Sequence, residues 1–168
     1  MTDEIIDIIN EDNEVIGQAP INEIIDKKLL HRRVRIVIAN NNNEFLIGKK
    51  HDYKKKSSGK YEIGIDNAVK ANETYEDAMF RELKEVLNID SPPTFVKKLI
   101  YKDKILKTIA HVFVLTYEKE IIFNKNKITN TKFISTAKIE EMMDQDELSD
   151  FSGYIFINAF EEIKVLAK

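Results

Sequence analysis

Glu82 and Glu85 stand three residues apart in a stretch whose apolar residues recur at helical spacing, so their carboxylates share one side of a helix. Two carboxylates so placed create a local negative potential that a hard cation such as Mg²⁺ relieves. An ion held there bridges phosphate oxygens, polarises them and lowers the pKa of a bound water. Arg81 follows Glu73 after seven intervening residues, and a pair between them would brace the preceding loop against the helix. Met79, Leu83 and Leu87 form the opposing apolar stripe, which predicts an exposed position for Glu82 and Glu85. A solvated helix face with weak ion pairs has the same local spacing, so the carboxylate pair alone decides nothing. A second group is basic: Lys49, Lys50, Lys54 and Lys55 cluster on a strand end and the following loop. Such a cluster either cradles phosphate or is a solvated loop. His31, His51 and His111 read as packed, solvated and structural respectively.

The elements that must position these groups are legible in outline. Glu4–Asn10 and Glu14–Gln18 read as a hairpin, followed by a short helix over Ile21–Leu30. Arg33–Ala39 and Phe45–Lys49 are strands around the Asn40–Asn43 turn, and Tyr61–Ile65 is another. Thr74 with Asp77 marks a capped start for a helix to about Leu87, and Pro92-Pro93 closes that region. Phe95–Tyr101 and Ile109–Tyr117 form a pair; Ile128–Ile134 is a weaker strand and Thr136–Met143 a short helix. The last helix covers about 150–167, with Ile155, Phe156, Phe160, Ile163 and Leu166 as its core stripe. Strands dominate the middle with helices between and after them, which is the α+β class with a mixed sheet.

A chain of 168 residues with 43% apolar composition suits one domain over 1–168 with a sizeable core. The net charge of −3 gives no general attraction to nucleic-acid polymers or membranes. With no cysteine, thiol nucleophiles, zinc–thiolate sites and disulfides are excluded. The acidic N-terminus lacks the features of a signal peptide and no apolar run is long enough to span a bilayer, so a cytoplasmic location is expected.

The spacing over 67–89 resembles the Nudix box, G-x5-E-x7-R-E-U-x-E-E-x-G-U with U aliphatic. Glu73, Arg81, Glu82, Leu83, Glu85 and Ile89 fall in register, six of nine fixed positions. Asp7–Gly17 and Leu29–Arg32 resemble the opening of the bacterial branch related to isopentenyl-diphosphate isomerase. The resemblance implies a Nudix fold, a mixed sheet sandwiched between helices, with a loop–helix–loop that binds Mg²⁺ or Mn²⁺. It implies hydrolysis of a small molecule in which a nucleoside diphosphate is linked to another group. Glu82 and Glu85 would be the catalytic metal ligands, Glu73 and Arg81 the loop brace, and Lys49 and Lys54 the phosphate contacts. A homodimer is compatible with it.

Three fixed positions depart from that pattern. Asn67 and Asn88 replace glycines, and asparagine tolerates the left-handed backbone that glycine would supply. Val86 replaces a glutamate that the family uses as a metal ligand, and valine coordinates nothing. The loop 124–130, where the family usually carries a further acid, has lysines instead; Asp66 is the nearest carboxylate that could substitute. These departures keep a second reading open: a non-catalytic Nudix module that binds a phosphorylated ligand or a protein partner. Isomerase chemistry is less favoured, because that enzyme's catalytic Cys falls at Asp66 and its box-region His at Ala68.

Overall fold

The computed structural model describes residues 4–51 and 59–167. The chain opens with the expected hairpin, β1 (Ile5–Ile9) antiparallel to β2 (Val15–Pro20). Helix α1 (Ile21–Asp26) is shorter than its apolar pattern predicts. Lys28 adopts φ 55, and the Leu29 amide turns back onto the Ile24 carbonyl at 2.9 Å, closing the helix. Then follow β3 (His31–Ala39), β4 (Glu44–Lys50), β5 (Glu62–Ile63), β6 (Ile65–Ala68), α2 (Tyr75–Leu87), β7 (Thr94–Lys102), β8 (Lys107–Thr116), β9 (Ile128–Ser135), α3 (Thr136–Asp144) and α4 (Asp150–Leu166).

Strand β3 organises the sheet. It runs parallel to β8 along its whole length and antiparallel to β6, while β8 carries β7 on its far side. Strand β4 is antiparallel to both β5 and β9. One parallel pair among antiparallel ones makes the sheet mixed, as the α+β reading requires. Helices cover both faces, which is why β3 is apolar at both parities. Val34, Ile36 and Ile38 pack with Ala78, Met79, Leu83 and Leu87 of α2. Val37 and Ala39 pack with Ile139 of α3 and Ile155, Ala159, Phe160 and Ile163 of α4. Leu166, expected in the α4 stripe, is exposed instead. Among the described residues, no helix is long and apolar enough to cross a membrane.

Two local features place the box. Thr74 and Asp77 form the full capping box of α2, each side chain bonded to the other's amide at 3.0 Å. Asn88 ends the helix at φ 52 and ψ 37, the left-handed cap that asparagine provides in glycine's place. The second feature is Gly64. The single strand expected over Tyr61–Ile65 is broken there, at φ 70, into β5 on β4 and β6 on β3. A β-carbon at this position would lie 2.1 Å from the Ile36 carbonyl oxygen, so the chain changes neighbours at a residue that has none.

Candidate functional site

The loop before α2 is held by Arg81. Its Nε donates to Glu73 Oε2 at 2.8 Å and its Nη2 to Glu73 Oε1 at 2.9 Å. Nη2 also reaches the Ala68 carbonyl at 3.2 Å, and Nη1 donates to Glu82 Oε1 at 2.5 Å. Glu73 Oε1 further accepts the Lys70 amide at 2.7 Å, so one guanidinium and one carboxylate tie the loop to both strand and helix. Burial would raise the Glu73 carboxyl, but bonding to Arg81 outweighs it and holds the group below its ordinary range.

Glu82 is not on an exposed face. It is 2% exposed, and its Oε1 also accepts from Asn67 Nδ2 at 2.9 Å. The reason is the width of the buried stripe, which takes in Ala78 and Val86, one turn before and after Glu82. Asn67 itself lies in β6 with ordinary backbone, not in the left-handed conformation expected of a glycine substitute. Glu85 turns the other way, into solvent, with its Oε2 3.7 Å from Lys127 Nζ. The two box carboxylates therefore do not form a joint exposed pair.

Glu82 opens onto a cleft of about 480 Å³ between α2, β4, β6 and the segment before β9. Ile65, Val86 and Ile128 give it an apolar floor, and Lys50, Asp66, Asn67 and Lys127 stand around it. Strand alternation explains which lysine enters. Lys50 shares the face of Leu46 and Gly48, whereas Lys49 points to the other side, its ammonium 4.9 Å from the Tyr61 ring centroid. Lys50, rather than Lys49, is therefore the β4 lysine that lines the cleft. Lys54, Lys55 and Tyr53 lie outside the described residues. Lys127 comes from the loop 124–130, which carries lysines and no acid.

Behind the cleft lies a buried ion cluster. Asp66 Oδ2 accepts from Arg33 Nε at 3.1 Å and Nη2 at 2.8 Å, and Lys50 Nζ lies 3.5 Å from Oδ1. Burial would raise the Asp66 carboxyl, but Lys50, Arg35 and Arg33 together overcome it and hold it well below the usual carboxylate range. Arg35, fully buried, bonds the Ile63 carbonyl at 2.8 Å and Glu62 Oε2 at 3.1 Å. Glu62 Oε2 also accepts from Ser152 Oγ at 2.6 Å and Ser149 Oγ at 2.8 Å, which joins the cluster to the start of α4.

This donor set does not fit Mg²⁺ or Mn²⁺. Such an ion needs several oxygen ligands in near-octahedral array. Glu82 is partly spent on Arg81 and Asn67, Glu85 faces Lys127, Asp66 is engaged by arginines, and Val86 offers no oxygen. Among the described residues, no three His, Asp or Glu side chains are placed to hold a metal. Glu82, Glu85 and Asp66, expected as cation ligands, are thus each engaged by different partners in this arrangement.

His31 sits at the end of the cluster, 1% exposed, with Nδ1 2.9 Å from the Leu29 carbonyl and Nε2 3.4 Å from Arg33 Nη1. Burial and then Arg33 push its pKa down to about 4. The unfolded chain therefore binds this proton first, and stability falls as pH drops from about 6.5 toward 4, by up to about 3 kcal/mol. His111, also lowered by burial, adds in the same direction. Urea midpoints measured from pH 7 to 5 should fall for the wild type and fall less steeply for His31→Gln. Equal slopes would show that His31 is protonated at no cost in the fold.

No protein-family profile matches the chain. A curated isopentenyl-diphosphate delta-isomerase of Photorhabdus laumondii is 26% identical over 146 residues, 84% of this chain and 82% of that protein. A Nudix hydrolase of Deinococcus radiodurans is 28% identical over 141 residues, 80% of this chain and 81% of its own length. A crystal structure of a Deinococcus radiodurans protein superposes with TM-score 0.75 at 21% identity, covering 98% of this chain and all of that one, and shows the shared fold. The chain therefore has the Nudix fold and is similar over most of its length to Nudix hydrolases and to an isopentenyl-diphosphate isomerase.

Proposed function

We propose that the cleft binds the diphosphate of a small molecule, a nucleoside diphosphate linked to another group, as a Nudix-type ligand site. The observation that carries this reading is the pair of ammonium groups, Lys50 and Lys127, flanking an apolar-floored cleft on the box helix. Both are partly exposed, at 37% and 42% of their side chains, and so can leave their present partners for an incoming anion. The Glu82 charge does not repel that anion strongly, because Arg81 and Asn67 already compensate it. ADP-ribose is a suitable probe by its chemistry. Lys50→Ala and Lys127→Ala should each weaken its binding about tenfold in calorimetry, and both together more. Affinity unchanged in the double variant would remove the reading.

Hydrolysis is a second reading, favoured by one observation. The Glu82 bonds to Arg81 and Asn67 share a single carboxylate oxygen, on a side chain that lines the cleft. Cleavage of the diphosphate bridge, as of ADP-ribose to AMP and ribose 5-phosphate, lost in Glu82→Gln, would establish it; binding without turnover would leave the module reading.

A further inference from the structure

We infer that Lys127, acting with Lys50, takes the place of a divalent cation, so that this cleft receives its diphosphate as the metal-free anion. The inference rests on the diphosphate reading above and specifies what neutralises the ligand.

Its basis is the way the chain holds Lys127. Helix α2 ends with carbonyls that lack helical partners and carry partial negative charge. Asn124 meets two of them: its amide donates to the Val86 carbonyl at 2.8 Å and its Nδ2 to the Glu85 carbonyl at 3.1 Å. The same asparagine's carbonyl accepts the Lys127 and Ile128 amides at 2.8 and 3.0 Å. The Lys127 carbonyl in turn accepts the His51 amide at 2.9 Å, which fastens the loop to the end of β4. A loop sewn to both the box helix and β4 delivers an ammonium to the cleft beside Val86, the residue that stands where the box has a metal-binding glutamate. The ammonium pairs with Glu85, the remaining outward carboxylate of the box. Across the cleft, Lys50 Nζ is held by the Asp66 carbonyl at 3.0 Å. Two positive charges delivered to the same cleft attract phosphate oxygens and repel a divalent cation from that space. Loss of the glutamate and gain of the lysine are then two halves of one change.

The test uses wild type, Lys127→Ala and the double variant Val86→Glu/Lys127→Ala, each checked for folding by circular dichroism. Calorimetry with ADP-ribose is run with chelator and with Mn²⁺, and Mn²⁺ alone is titrated by its paramagnetic resonance signal. Wild type should bind ADP-ribose with chelator present, gain no affinity from Mn²⁺ and take up no Mn²⁺ saturably. Lys127→Ala should weaken chelator-state binding about tenfold. The double variant should acquire saturable Mn²⁺ uptake. Wild-type affinity that rises with Mn²⁺, or a Lys127→Ala protein that binds as wild type, overturns the inference while the diphosphate reading survives. No ADP-ribose binding by wild type in either buffer overturns both.

Discussion

Asp66→Ala is expected to lower the unfolding free energy by about 3–5 kcal/mol, because it leaves buried guanidinium charge without its partner. The Asp66 side chain is 8% exposed and those of Arg33 and Arg35 are 9% and 0% exposed, so solvent reaches the guanidinium groups poorly. Arg35 keeps Glu62, but among the described residues Arg33 would retain only the weak 3.4 Å approach to His31. Asp66→Asn keeps an acceptor oxygen without the charge and should lose less. Urea unfolding of the three proteins at pH 7 checks the order. Because the Asp66 carboxyl is depressed in the fold, its contribution is present above the unfolded carboxyl pKa of about 4 and fades as pH falls below it. A loss under about 1 kcal/mol for Asp66→Ala would mean that the arginines are solvated or paired elsewhere.

Gly64→Ala should be at least as severe, on the order of 4 kcal/mol or more, and should yield little soluble folded protein. Two effects add. An L side chain at φ 70 is strained by about 1 kcal/mol or more. The new methyl would also meet backbone rather than a movable side chain: the Ile36 carbonyl oxygen at 2.1 Å and the Val37 α-carbon at 3.0 Å. Relief requires β5 or β6 to leave its neighbour, and either shift displaces Glu62 or Asp66 from the arginines. Gly17→Ala is the control, since its nearest contact is an Ile8 methyl at an ordinary 3.7 Å. A Gly64→Ala protein melting within a few degrees of the Gly17→Ala protein would show that the turn at Gly64 is not fixed.

What the sequence disclosed divides along physical lines. The start and end of α2 were legible because the capping box of Thr74 and Asp77 and the left-handed Asn88 are local devices. The Glu73–Arg81 contact was legible for the same reason, spanning eight positions. The burial of Glu82 was not, because stripe width depends on what packs against the helix, and β6 supplies Asn67 to satisfy it. Which of Lys49 and Lys50 faces the cleft follows from alternation along β4, and that could be read only once the face of β4 that packs under α2 was known. The Arg33–Arg35–Asp66–Glu62 cluster was hidden more deeply. Arginines alternating on a strand look solvent-facing until partners 27 to 117 positions away appear beside them.

The parallel pairing of β3 with β8 also orders the assembly of the protein in time. The Thr108 hydroxyl meets the His31 carbonyl across 77 positions of sequence, so the middle of the sheet must wait until most of the chain exists. On a ribosome the β1–β2 hairpin can form early, while β3, with apolar residues destined for both faces, must stay unpaired on its β8 side until β8 has emerged. Pulse-labelling hydrogen exchange should therefore protect amides of the hairpin and α2 before those of β3 and β8. It is during that interval, with Val34, Ile36 and Ile38 uncovered, that the chain is most open to aggregation.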